Sequence, residues 1–336
     1  LAALALAPPG AQGQHVDGSR AQSTGPLTLE EAVQAALAYH PSVGLAEARQ
    51  EESAAILRQA RAAWFPQLSS DASLTRYEEP WLVAPLHGFD PTMAPAFDRN
   101  LVRANLTAGY SLFDGGARGG RIDLAESGAI LAEADRAVSE IELTTQVSAA
   151  YLEIQSTIEL LAAAQSQREA LEAEKERVEQ FLGEGKAARV DLLRVQSALS
   201  LSEAVVISLR SGLDVSRGRF SRLTGISWDD LPPDGLASTR LRETPLSPLS
   251  EVVGLARSVN PDLEVARQRL AGASAGVRIA KANWFPKVDA AGAYSDYGAL
   301  DGGHTQEWQG AIRVSLPLFT GGARKGERER ASAQER

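Results

Sequence analysis

Residues Trp64-Phe65-Pro66 return as Trp284-Phe285-Pro286, and an offset of about 220 residues holds on both sides of the tripeptide. Pro41 falls on Pro261, Ala46 on Ala266, Arg49 on Arg269, Arg58 on Arg278, Ala60 on Ala280, Ala62 on Ala282 and Tyr77 on Tyr297. A match of this extent is an internal duplication, so each copy must carry the same elements. Downstream, Leu112-Phe113-Asp114-Gly115-Gly116-Ala117-Arg118 returns as Leu318-Phe319-Thr320-Gly321-Gly322-Ala323-Arg324 at an offset of about 206. The loop inside the second copy is therefore shorter, by roughly 14 residues. The sequence reads as one whole repeat followed by the front of another.

The period of the apolar residues changes across each Trp-Phe-Pro. Before it the pattern is helical. Thr28-Leu29-Glu30-Glu31 is a capping box, Leu29, Ala32, Val33, Ala36 and Leu37 share one face, and Pro41 breaks the helix. A second helix, capped by Ser42, is expected to reach about Ala63. In the second copy Leu249, Val252, Val253 and Ala256 precede a break at Asn260-Pro261, and a helix then runs to about Asn283.

After the tripeptide the period is two. Residues 67–77 and 287–297 are expected strands, paired with 103–113 and 309–319. In the partner strands Leu106, Ala108, Tyr110 and Leu112 alternate with polar residues, as do Ile312, Val314, Leu316 and Leu318. Strands of about 10 or 11 residues tilted by about 40° rise roughly 25 to 28 Å, the height of the apolar band of an outer-membrane barrel. A half-buried soluble sheet alternates in the same way. Between the first pair, Glu78 to Asn100 is proline-rich, carries Trp81, Leu86, Phe89 and Phe97, and reads as a surface loop.

Asp114-Gly115-Gly116 then turns the chain into a helix that no proline interrupts from Ala117 to about Leu182. At 1.5 Å per residue such a helix is about 100 Å long. Its stripe of Leu124, Leu131, Val138 and Leu152, with Ile154, Ile158 and Leu161 on a neighbouring row and many alanines, implies a coiled-coil assembly. The charged run from Arg168 to Glu179 reads as a solvated helix face. Gly183-Glu184-Gly185-Lys186 ends the helix, and another is expected from about Ala188 to Thr224, long enough with the Ser42 helix to line it end to end.

Composition narrows the function. Of 336 residues 44% are apolar and only 6% aromatic, which suits closely packed helices. The 34 basic against 43 acidic residues give −9, so nucleic acid is not an expected partner. No cysteine is present, which removes disulfides, thiolate metal sites and thiol nucleophiles. No apolar run reaches the about 18 to 20 residues of a spanning helix, so a membrane role would fall to strands. Leu1 to Ala7 reads as the tail of a signal-peptide apolar region, and Pro8 to Gly25 as linker.

Enzymatic readings find little support. His15, His40, His87 and His304 have no metal-ligand spacing. Gly183-Glu184-Gly185-Lys186 lacks the first glycine and the Ser/Thr of a phosphate loop, and the glycines from Gly115 to Gly120 are turn chemistry. No catalytic, cofactor or metal site is expected. The domain reading is residues 1–26 as signal remnant and linker, 27–225 as the first repeat with a helical hairpin over 117–224, 226–248 as linker, and 249–336 as the second repeat, ending after its strand pair.

These features resemble the outer membrane efflux protein family, the TolC-like channel-tunnels, from Leu27 to the C-terminus. The resemblance rests on the duplicated Leu-x-x-Ala-Val-type helix with its His/Asn-Pro break, the paired Trp-Phe-Pro, the Phe-Asp/Thr-Gly-Gly turn and the segment from Gly185 to Gln196. It implies a mainly α protein with a small β part. Long antiparallel helices would form a coiled-coil barrel, and four membrane strands per protomer a twelve-stranded barrel in a homotrimer. Implied partners are a periplasmic adaptor, an inner-membrane pump and outer-membrane lipid. The protein would be a passive outer-membrane duct for efflux or type I secretion in a Gram-negative bacterium, without enzymatic activity. Gly185, Lys186, Ala187, Ala188, Arg189 and Val190 would form the adaptor-docking tip, Asp191 would belong to a gate, and Leu106, Ala108, Tyr110, Leu112, Ile312, Val314, Leu316 and Leu318 would face lipid. A periplasmic adaptor or other coiled-coil scaffold is the alternative; it would explain the hairpin around Gly185 but not two strand pairs at equivalent places.

Overall fold

The computed structural model describes residues 25–85, 92, 94–232, 235–239, 247–300 and 302–336. In chain order these form α1 (Leu29–Tyr39), α2 (Pro41–Ala62), β1 (Gln67–Leu82), β2 (Phe97–Phe113), α3 (Ala117–Gly183), α4 (Arg189–Thr224), α5 (Leu249–Val259), α6 (Pro261–Ala282), β3 (Lys287–Ala299), β4 (His304–Ser315) and α7 (Ala323–Glu335), with a 3-10 turn at Trp228–Asp230. The order helix, helix, strand, strand, helix thus occurs twice.

Two compact units divide the chain. One takes the described residues of Leu1–His40 and Leu143–Glu243, the other those of Pro41–Glu142 and Thr244–Arg336. Within the first unit, the Thr28 hydroxyl accepts from the Glu31 amide at 3.2 Å and the Glu31 carboxylate accepts from the Thr28 amide at 2.9 Å, so α1 opens with the expected capping box. Those bonds hold the Glu31 carboxyl below its ordinary pKa. Ala32 and Ala36 of α1 are fully buried, as are Val147, Ala150, Tyr151 and Ile154 of α3 and Phe220 of α4. Of the expected stripe on α3, Ile154 is buried and Leu131, Val138, Leu152 and Leu161 are half-buried. Leu124 and Ile158 are exposed, and the buried row is Leu143, Val147, Ala150, Tyr151 and Ile154, the face that meets chain outside its own helix.

On α4, Val206, Leu213 and Phe220 are buried at heptad spacing. This helix also contains an 18-residue window of mean hydropathy 1.4, long and apolar enough by composition to cross a membrane, although polar residues interrupt it throughout. Serines interleave with its apolar residues, and the buried heptad row assigns it to helix packing. Gly225, at φ 71°, ends the helix in the left-handed conformation.

The second unit holds a single antiparallel sheet in the order β1-β2-β3-β4. Gln67 faces Gly109 in the first pair and Lys287 faces Ser315 in the second, so the two copies share one register. β2 and β3 join them, with Leu106 opposite Tyr294. The first pair is longer than its sequence pattern suggested. After an irregularity between Arg76 and Trp81, pairing resumes at Trp81↔Asp98 and Leu82↔Phe97, so both ends of the expected loop are strand. Pro80 lies within that irregularity, where a missing N–H costs the ladder nothing. Leu86 and Phe89 lie outside the described residues. In the second pair β4 starts and ends earlier than expected. Leu316 and Leu318 lie beyond it, because Pro317 cannot donate to the ladder. α2 begins at Pro41, a favoured first helical position, which places Ser42 in the first turn instead of at the cap. In the second copy the Asn260 side chain caps α6 by accepting from the Asp262 amide at 2.8 Å.

Candidate functional site

The sheet's register sorts its side chains by face. Leu106, Ala108 and Tyr110 of β2 sit opposite Tyr294, Gly292 and Ala290 of β3. Ala290 in turn faces Ile312, and Val288 faces Val314. Because facing residues share a side of the pleat, all five apolar residues expected to face lipid within the strands lie on one face. The other face carries Asn105, Thr107, Ser111 and Arg313. Across it Ser69 and Thr107 hydroxyls are 2.6 Å apart, and the Asn105 amide donates to Asp71 at 2.8 Å. Leu112 lies at the irregularity between Ser111 and Phe113, where the alternation slips.

Below the sheet, each Trp-Phe-Pro meets an arginine whose part was not apparent from sequence. The Arg118 guanidinium stands 3.8 Å from the Trp64 ring centre and donates at 3.1 Å to the carbonyls of both Ala63 and Ser111. Arg324 does the same in the second copy, 4.8 Å from Trp284, donating to Asn283 at 3.4 Å and Leu318 at 3.3 Å. Arg118 joins the end of α2 to the end of β2, and Arg324 joins the end of α6 to the segment that follows β4. Asp114 organises the first joint. Its carboxylate accepts from the Gly116 amide at 3.1 Å and the Arg118 amide at 2.6 Å, and pairs with Arg121 at 3.1 Å. The signal was present in the repeated Gly-Gly-Ala-Arg, but an arginine in the first turn of a helix reads as surface charge.

Between α3 and α4 the backbone closes in a Schellman turn. The Lys186 amide donates to Phe181 O at 2.7 Å and the Gly185 amide to Leu182 O at 3.0 Å, with Gly185 at φ 72°. Gly185, Lys186, Ala188, Arg189 and Val190 are exposed and Ala187 is half-buried. Lys186 pairs with Glu184 at 2.7 Å. Asp191 accepts from the Ala188 amide at 3.3 Å and lies 3.6 Å from Arg194. Here it supplies one half of a capping box; Ala188 has no side-chain oxygen for the other half.

A fourth cluster went unnoticed in the sequence. The Tyr151 hydroxyl lies 2.8 Å from Leu27 O and 2.6 Å from Ala237 O, and Gln155 also donates to Ala237 O. Leu27 and Leu236 form a parallel bridge, with the Leu27 amide donating to Gly235 O and the Ala237 amide to Leu27 O. Burial pushes the Tyr151 phenol above its ordinary pKa, against the hydrogen bonds to Thr239 and Ala237. Among the described residues no group of three His, Cys, Asp or Glu is placed to hold a metal ion.

Two strand pairs in one register, each led by a helix break and followed by a Gly-Gly turn into a further helix, define the class. The chain belongs to the outer membrane efflux protein family, whose model matches residues 32–225 and 252–336. The family match sets the adaptor reading aside. Among relatives, the chain is 25% identical over 320 residues to fusaric acid resistance protein FusA of Burkholderia cepacia, covering 91% of this chain and 58% of that protein. In fold it is similar to a membrane protein from Pseudomonas aeruginosa, with TM-score 0.78 and 21% identity over 91% of this chain and 71% of that one. It is similar also to the outer membrane protein VceC of Vibrio cholerae, with TM-score 0.75 and 20% identity over 91% and 72% of the two chains.

Proposed function

We propose that the chain is one subunit of a passive duct in the outer membrane, serving efflux or type I secretion. Three copies would close their four-stranded sheets into one twelve-stranded barrel and range their helices into a coiled-coil tunnel through the periplasm. The observation that carries this reading, beside family membership, is the sheet itself. It has one apolar face, one polar face and two edge strands without partners among the described residues. Closure removes such edges, and in a barrel the apolar face meets lipid while the polar face lines a wet lumen. Leu106, Ala108, Tyr110, Ile312 and Val314 would then face lipid, with Leu112, Leu316 and Leu318 continuing the band past the strand ends.

The repeats 27–225 and 249–336 would each supply one strand pair and one helical stretch to the wall. Energy would come from an inner-membrane pump reached through a periplasmic adaptor that docks at Gly185 to Val190. Asp191, at the start of α4, would contribute to closing the inner end. No chemistry is asked of the duct. In cell fractionation the protein is expected in the outer membrane as a heat-dissociable trimer, with spin labels at Leu106, Ala108 and Ile312 accessible to lipid-soluble oxygen and labels at Asn105 and Thr107 shielded from it. Recovery in the periplasm or inner membrane would overturn the duct, and the opposite labelling pattern would reverse the facing.

A further inference from the structure

The roughly 14 residues by which the first copy exceeds the second have a definite place in the sheet. The second pair closes at Gly298↔His304, and the counterparts of those two residues are Glu78 and Asp98. Between them the first copy continues as ladder: pairing resumes at Trp81↔Asp98 and Leu82↔Phe97, and the Val83 amide donates to Ala96 O at 2.9 Å. The last pair of β2 with β3 is Leu101↔Ala299, so the β1–β2 hairpin stands beyond it by about six residues, roughly 20 Å. The second pair keeps the same register without such an extension. The extension is therefore not what builds the sheet.

It points away from the helices, because α2 leads into β1 and α3 follows β2 at the opposite end. Along β2 the face of Leu106, Ala108 and Tyr110 continues through Ala104, Val102 and Asn100 to Asp98, and Trp81 stands opposite Asp98. The indole thus shares the side of the sheet assigned to lipid, above the apolar residues. It stacks on Tyr77 with ring centres 5.3 Å apart and planes 15° from parallel, yet Trp81 is 59% exposed. The stack fixes the ring plane in advance and leaves most of the residue in water. Polar groups share its face: Arg76 donates to the Asn100 side-chain oxygen at 3.3 Å, and the Asp98 carboxylate accepts the Asn100 amide at 2.6 Å. Arg76 and Arg99 against Glu78, Glu79 and Asp98 leave the extension with one net negative charge.

We infer that this patch binds sugar rings of the lipopolysaccharide around the protein, with Trp81 as the platform. A pyranose ring has an apolar C–H face that suits the electron-rich face of an indole, and hydroxyls at its edge that need both donors and acceptors. Arg76, Asn100 and Asp98 supply both kinds beside the platform. An acyl chain would leave those polar groups unpaired, and the net negative charge disfavours phosphate as the main ligand. The saccharide is that of the membrane itself because the patch continues the lipid-facing side of the same sheet, on the outer side where lipopolysaccharide sugars lie. This inference rests on the duct reading and its facing of the sheet, and adds a contact that neither requires.

The test uses the purified protein in detergent and two forms of lipopolysaccharide, one with its complete core sugars and one truncated to lipid A. Wild type is expected to bind the complete form about tenfold more tightly, and to show saturation transfer by NMR to the ring protons of the isolated core oligosaccharide. Trp81→Ala should abolish the preference and Trp81→Phe should keep part of it. Phe97→Ala, which changes the opposite face of the hairpin, should leave it intact. Equal affinity of wild type for the two forms would show that the sugars are not recognised and overturn the inference. So would a full preference in Trp81→Ala, or its loss in Phe97→Ala. Absence of saturation transfer to wild type's sugar ligand overturns it whatever the variants do. In each of these outcomes a wild-type trimer in the outer membrane leaves the duct standing, whereas a wild-type protein found outside that membrane overturns both.

Discussion

Arg118 and Trp64 are separated by the whole first strand pair, yet the guanidinium lies 3.8 Å from the indole ring centre while two of its N–H groups hold the backbone on either side. Arg118 is only 6% exposed, so both charge-assisted bonds and the cation–π contact are largely shielded from water. Arg118→Ala should lower stability in detergent by about 3 kcal/mol. Lysine should recover only part of it: both carbonyls are held by one nitrogen, which an ammonium could replace, but an ammonium lacks the planar face that lies against the Trp64 indole. Arg324, with longer bonds and more exposure, should lose about 1 kcal/mol on the same change. Thermal unfolding midpoints of the three variants check the order.

Gly225 and Gly185 have nearly the same backbone, φ 71° and 72°, in different surroundings. A Cβ on Gly225 would stand 2.5 Å from the Tyr39 ring, whereas one on Gly185 would meet open space. Gly185→Ala should therefore cost only the left-handed strain, about 1 kcal/mol. Gly225→Ala must also displace an aromatic ring, and should cost about 3 kcal/mol or prevent folding of the first unit. Equal destabilisation of the two in chemical denaturation would show that the ring moves aside freely.

Tyr151 couples α3 to the chain on either side of the first repeat. Removing its hydroxyl leaves Leu27 O and Ala237 O with other donors, so Tyr151→Phe should cost about 1 kcal/mol. The pH dependence has a defined sign. Burial raises the phenol's pKa above the ordinary 10.0, so its contribution is complete below pH 10 and is lost as pH rises through the raised value. Wild-type stability should fall on the alkaline side more steeply than that of Tyr151→Phe, as read from urea unfolding at pH 8 to 11.

Much of this was legible in local signals. Thr28-x-x-Glu31 made its box, Pro41 and Pro261 separated their helices, and both Gly-Gly sequences form turns with positive φ. Strand ends were less so, because β1 is exposed on both faces in the chain and no apolar alternation marks where it stops. Tyr151 lay beyond sequence reasoning for another reason. Its partners are 124 and 86 residues away, and nothing in the adjacent sequence of this alanine-rich helix marks it. The arginine joints needed both repeats to be seen in space, since only their recurrence distinguishes them from surface charge.

The turn at Gly185 should mark the adaptor contact if the duct reading holds. Val190 and Leu193 are exposed apolar residues beside Lys186 and Arg189, a surface that little else in the chain covers. Cysteine at Ala187 should crosslink to an adaptor hairpin in the assembled pump. Failure at Ala187, Ala188 and Val190 alike would move the docking site elsewhere.

Asp191 divides two roles that one substitution alone would confuse. Its carboxylate accepts the Ala188 amide, so Asp191→Ala removes a helix cap worth about 1 kcal/mol along with any gating contact. Asp191→Asn keeps an acceptor for that amide and removes only the charge. A closing ion pair at an exposed site is worth about 0 to 1 kcal/mol, but repetition around a pore by symmetry multiplies it. With a gating role, both variants should raise single-channel conductance in planar bilayers, and high salt should raise that of wild type toward theirs by screening the pair. If Asp191 only caps, Asp191→Asn should conduct like wild type at every salt concentration, and the loss in Asp191→Ala should appear as lowered thermal stability with unchanged conductance.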